Sequence, residues 1–118
     1  MISSISSNLS ALMAYGKKMG VHANNVANMN SEGFQKSRAI LTENPEQHVS
    51  VEIERIASPE YPISETADSQ GITGEPDNNV DLATEITETI ITQNGYEANT
   101  VMIKAEDELV GTILDLLS

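Results

Sequence analysis

The stretch VDLATEITETIITQNGYEANTVMIKAEDELVGTILDLL, residues 80–117, decides the fold. Within it Ala83, Ile86, Ile90, Asn94, Ala98, Val101, Met102, Ala105, Leu109, Ile113 and Leu116 follow one another at helical spacing. A helix from Val80 to Leu117 spans about 57 Å at 1.5 Å per residue. Its start is marked in EPDNNVDLATE, residues 75–85. Pro76 precedes it, Asn78 or Asn79 can cap it, and Asp81 and Glu85 complement its positive end. Asn94-Gly95 is a weak point in the middle. Glycine costs about 1 kcal/mol there relative to alanine, so a kink or a close helix contact is expected.

So long a helix needs a partner, and the other end of the chain offers one. Ile2, Ile5, Leu9, Leu12, Gly16, Met19, Ala23 and Val26 recur in alternating steps of three and four. That is an a/d heptad seam, narrower than the apolar stripe of a core-facing globular helix. Serines at 3, 4, 6 and 7 offer N-caps. The seam thins at Gly16, Met19 and Ala23, which lets a neighbouring backbone come close. The helix is expected to stop near Met29–Asn30, with Gly33 supplying a turn before Phe34. Its end carries an unusual run, HANNVANMNSEGF (22–34), with asparagines at 24, 25, 28 and 30. Asparagine is a poor helix former because its amide competes with the backbone for hydrogen bonds.

Between the helices, HVSVEIERI (48–56) alternates, with Val49, Val51, Ile53 and Arg55 on one side, and reads as one half-exposed strand. A lone strand is not stable. It must pair with AILTE (39–43), with the segment near Tyr61–Ile63, or with another subunit. Residues 57–79 are rich in Pro, Gly, Ser and acids and read as a loop. The predicted fold is therefore mainly α. Residues 1–37 form the N-terminal helix and its asparagine motif, 38–78 a short β and loop segment, and 79–118 the C-terminal helix. The long terminal helices pair in a coiled-coil-like domain.

Composition narrows the function. At 118 residues, one domain is the default. With 39% hydrophobic and 3% aromatic residues, long narrow seams suit the chain better than a compact core. The net charge of −12 disfavours nucleic acid and anionic membrane as partners. Lys17, Lys18, Lys36 and Arg38 face only Glu32 in residues 1–38, while every other acid lies beyond. Two readings fit this asymmetry: the basic segment meets the acidic remainder, within a chain or between copies, or the acids form a surface that serves solubility. No cysteine is present. The N-terminus lacks the basic and apolar regions of a signal peptide, and no apolar run approaches a membrane span.

Little in the chain points to catalysis. His22 and His48 lie outside any metal-ligand pattern, and Gly71 and Gly74 lack the surroundings of a phosphate loop. Asp77, Asn79 and Asp81 open like a calcium loop, but Leu82 stands where such a loop needs glycine. Glu85 and Glu88 read as a solvated helix face. No cofactor, metal or catalytic residue is expected. What remains is packing, and two readings stay open: a closed intramolecular hairpin, or helices that form interfaces between subunits.

The asparagine run resembles the N-terminal signature of the bacterial flagellar rod and hook family. Its places here are Ala23, Asn24, Asn25, Val26, Ala27, Asn28, Gly33, Phe34 and Lys36. Residues 78–117 are similar to the same family's C-terminal segment, through Asn79-Val80-Asp81-Leu82, Glu85, Gln93, Tyr96, Ala98-Asn99, Ile103-Lys104, Asp107 and Leu114. Two departures are visible. Only residues 38–78 separate the two motifs, whereas hook and distal-rod members carry large middle domains. The family's Gln-Arg-Ala-Tyr pattern is here Gln93-Asn94-Gly95-Tyr96.

The resemblance implies an axial, non-enzymatic component of the flagellar basal body, whose terminal helices pair and pack against copies and other axial proteins in a tube. It implies export through the flagellum's own type III channel, without a cleaved signal peptide. Packing would then use Ile5, Leu9, Leu12, Met19, Ala23, Asn24, Asn25, Val26, Asn28 and Phe34 from the first segment. From the last it would use Val80, Leu82, Ile86, Ile90, Gln93, Tyr96, Asn99, Val101, Ile103, Leu109 and Ile113. The asparagine amides would bond across subunit contacts. The rival reading is a soluble helical-hairpin adaptor or export chaperone, which would form a defined complex instead of an open assembly.

Overall fold

The computed structural model describes residues 2–46, 48–57 and 78–118. In chain order its elements are α1 (Ile2–Ala27), β1 (Ser37–Glu43), β2 (Val49–Arg55) and α2 (Leu82–Leu117). The molecule is elongated, with extents of 85 × 27 × 14 Å. Helix α1 is the middle layer: α2 packs on one side of it, the strands on the other, and α2 does not touch the strands.

The strand at 48–56 finds its partner in residues 37–43, the first of the three possibilities. β1 and β2 are antiparallel, from Ser37 opposite Arg55 to Glu43 opposite Val49. The hairpin runs back along α1 and matches it in length. Seven residues of strand cover about 23 Å, and the helix from Ser10 to Asn25 about 22 Å. The hairpin tip is tied to the start of α1. The backbone N–H of Val49 donates to Ser10 Oγ at 3.0 Å, and Ser6 Oγ lies 3.1 Å from His48 Nε2. His48 Nδ1 is 2.9 Å from the Glu46 carbonyl, so Nδ1 carries the proton and Nε2 accepts from Ser6. The serines read as possible caps therefore include one, Ser6, that docks a strand.

Helix α1 ends at Ala27, two residues short of the expected stop. A turn follows, and Gly33 takes φ 67°, the left-handed conformation that glycine adopts without steric cost. Helix α2 starts two residues late, at Leu82, because Asp81 caps it and not Asn78 or Asn79. Asp81 Oδ1 accepts from the Ala83 N–H at 3.0 Å, and Oδ2 accepts from Thr84 Oγ1 at 3.1 Å. The loop expected over 57–79 lies outside the described residues from 58 to 77.

The line along which α1 meets α2 is offset from the heptad seam read on α1. Leu9, Gly16 and Ala23 are exposed, whereas Ile5, Leu12, Met19 and Val26 are half-buried. The contact line runs instead through Asn8, Tyr15, Lys18 and His22. The physical reason is that α1 serves two neighbours. Ser6 and Ser10 face the hairpin, and residues two positions apart, such as Ser6 and Asn8, point to nearly opposite sides of a helix. Among the described residues the buried apolar side chains are Ala14, Val21 and Ala39, so the core is small.

Candidate functional site

Helix α2 presents a polar face inward and an apolar face outward. The inner line holds Glu85, Glu88, Thr92, Gly95, Asn99 and Glu106. Thr92 is fully buried and its hydroxyl donates to the Glu88 carbonyl at 2.7 Å, while Asn99 Nδ2 donates to the Gly95 carbonyl at 2.8 Å. Four cross-helix contacts set the register. His22 Nδ1 lies 2.6 Å from Glu85 Oε2, with both side chains buried. Lys18 Nζ lies 3.1 Å from Glu88 Oε2, a part-exposed pair. Asn8 Nδ2 donates to Glu106 Oε1 at 3.4 Å. At Gly95 the Tyr15 ring occupies the place of a side chain: a Cβ there would lie 2.6 Å from Tyr15 Cζ. The Asn94-Gly95 weak point is thus a close helix contact inside an unbroken helix. Glu85 and Glu88, read as a solvated face, are cross-helix partners, and the basic segment meets the acidic one within the chain through Lys18.

The outer face collects the large apolar side chains. Leu82, Ile86, Ile90, Ile91, Val101, Met102 and Leu109 are all exposed, and so is Tyr96; Ile113, seven residues beyond Glu106 on the inner line, is exposed as well. They share two sides of one 36-residue helix. So many exposed large apolar side chains on one helix point to surface that a neighbour covers. Of the residues expected to pack, Gln93 is exposed among them, while Asn99, Ile103 and Val80 are half-buried.

The asparagines form a junction where both helices and the hairpin root meet. Asn25 is fully buried. Its Nδ2 donates to the Ser37 carbonyl at 2.8 Å, and its Oδ1 accepts from the Ser37 N–H at 2.9 Å. The amide thereby pairs with β1 as a neighbouring strand would. Asn79 does the same one step further on. Its Oδ1 accepts from the Lys36 N–H at 2.7 Å, and its Nδ2 donates to the Ile56 carbonyl at 2.7 Å. Asn78 Nδ2 donates to the carbonyls of Asn28 and Ser31 at the end of α1, at 2.8 and 2.7 Å. Asn28 Nδ2 turns back to the Asn24 carbonyl at 2.9 Å. The amides of Asn25 and Asn28, expected to bond to neighbouring subunits, bond within the chain, whereas Asn24 is exposed. Asn78 and Asn79, read as helix caps, are part of this junction, which sequence reasoning missed. The signal available was that both ends of the chain carry paired asparagines. Phe34 is half-buried beside the junction.

Among the described residues no group of His, Asp and Glu is placed to hold a metal ion. Among the same residues no helix is long and apolar enough to cross a membrane.

Two family models match the chain at its two ends. Residues 5–35 match the flagella basal body rod protein model. Residues 77–116 match the model of the flagellar basal body rod FlgEFG protein C-terminal segment. Together they cover more than half of the sequence, including nearly all of α1 and α2 and the asparagines of the junction. A comparison with curated proteins gave no match.

Proposed function

We propose, from the premise that this chain belongs to the flagellar basal body rod proteins, that it is a structural subunit built into the wall of the axial rod through its terminal helices. The observation that carries this reading is the outward apolar face of α2. A helix that only closed a hairpin would turn Ile86, Ile90, Val101 and Leu109 toward α1. Here those side chains are exposed, and acids, Thr92 and Gly95 fill the inner line. Such a helix is built to be covered by neighbours, and burial of apolar surface drives association. The polar inner contacts favour one register, because sliding the helices would leave the buried His22 and Glu85 without each other.

In this reading the subunit packs against copies of itself and other axial proteins, leaves the cytoplasm through the flagellar export channel, and acts mechanically instead of catalytically. Composition analysis of purified basal bodies tests it. The chain is expected in the rod fraction. Its absence there, with a stoichiometric soluble complex in the cytoplasm, would replace the rod reading with that of an adaptor or export chaperone.

A further inference from the structure

We propose that the apolar C-terminal tip of α2, Ile113 to Leu117, docks into a groove between α1 and the hairpin root of a second copy of this chain. The inference rests on the reading that the chain assembles with itself. At the tip, Ile113, Leu114, Leu116 and Leu117 are exposed by 38%, 61%, 81% and 80%. They lie past the end of the helix pair, since Asn8 already meets Glu106. The groove is a space of about 320 Å³ lined by Lys17, Gly20, Val21, Asn24, Ser37 and Ile53. Gly20 opens its floor, as nothing lies within 4 Å of the place of a Cβ there. Ile53 offers an exposed apolar wall.

Charge selects the occupant. The last turn of α2 holds no basic residue, yet it carries Asp115 at the negative end of the helix. An acid in that position is unfavourable unless a cation from outside answers it. Lys17 is exposed on the groove rim and has no ion pair among the described residues. Tip and groove cannot meet within one chain. Gly20 lies between Lys18 and His22, which meet Glu88 and Glu85, so the groove is level with that stretch of α2, and the helix from there to Leu117 runs on for about 44 Å. The contact therefore joins two different patches of two copies. A heterologous contact of this kind extends into an open row unless its rotation closes a ring.

The chain has no cysteine, so an engineered pair carries the only thiols. Ser37→Cys with Ser118→Cys, in the purified full chain under mild oxidation, is expected to give a ladder of disulfide-linked oligomers. Glu97→Cys in place of Ser118→Cys is expected to give none. Lys17→Glu should abolish the ladder, and Lys17→Glu with Asp115→Lys should restore it. Circular dichroism of each variant confirms that the helices are retained. Monomer alone, an equal ladder from the Glu97→Cys control, or a ladder indifferent to Lys17→Glu would overturn the contact. A chain present in basal bodies without the ladder keeps the rod reading and loses this contact. A ladder from a chain absent from basal bodies does the reverse.

Discussion

Asn25 is fully buried, and its amide holds the backbone of Ser37 through one donated and one accepted hydrogen bond. Asn25→Ala leaves the Ser37 N–H and carbonyl without those partners, at a cost of about 1–3 kcal/mol for each group left buried and unpaired. Alanine is the better helix former, so α1 itself is expected to survive. The expected outcome is a hairpin released from α1, seen as faster amide exchange at Ser37 and lower denaturant stability. Asn25→Asp tests the geometry more sharply. Its carboxylate still accepts from the Ser37 N–H but sets oxygen against the Ser37 carbonyl, so it is expected to be worse than alanine at neutral pH. The asparagine run was legible as an anomaly because amides are costly in a helix. Its partners were not, because spacing within residues 22–34 carries no trace of where β1 returns. His22 is a similar case: it read as a histidine without a ligand pattern, and its partner Glu85 stands 63 positions away.

Helix α2 was legible in its extent, its central weak point and its pattern of apolar residues. The direction in which that pattern faces was not. Helical periodicity identifies a stripe and is silent on whether its own chain or another copy covers it. The contact at Gly95 makes the packing testable. Gly95→Ala gains helix propensity of about 1 kcal/mol but forces the Tyr15 ring to move. The substitution is expected to destabilise the chain when Tyr15 is present and to stabilise it in a Tyr15→Ala background. A double-mutant cycle by chemical denaturation reads the change of sign. The start of α2 responds to pH. The Thr84 hydroxyl first, then the Ala83 and Thr84 N–H groups, hold the Asp81 carboxyl below its ordinary value of 3.8. A carboxylate held low contributes stability that is complete above its ordinary value and is lost as pH falls through the lowered one. The first turn of α2 is therefore expected to fray below pH 3.8, measured by amide exchange at Ala83. Asp81→Asn keeps a capping side chain and should remove that dependence.

As a whole the molecule is long, thin and poorly filled. With Ala14, Val21 and Ala39 as its buried apolar side chains among the described residues, it has little core to hold two long helices. Helices in this position draw most of their stability from packing. Helicity measured by circular dichroism is expected to rise with protein concentration. Leu109→Asp places a charge on the exposed outer face, where the monomer can solvate it. It should leave the dilute spectrum unchanged and abolish the concentration dependence, because a charge buried by a neighbour without a partner costs several kcal/mol. The same loss in the dilute monomer would mean that Leu109 supports the single chain. The low aromatic content pointed to seams instead of a ball, and the elongated shape agrees with it.

Asn79 has a further consequence for how the chain tolerates change. By donating to the Ile56 carbonyl at 2.7 Å, it holds the two ends of the intervening stretch side by side. Holding two points of a chain together costs only about 0.6 kcal/mol more for each doubling of the number of residues between them. An epitope tag or a small folded cargo spliced between Ile56 and Asn78 would leave the spacing of the two helices as it is.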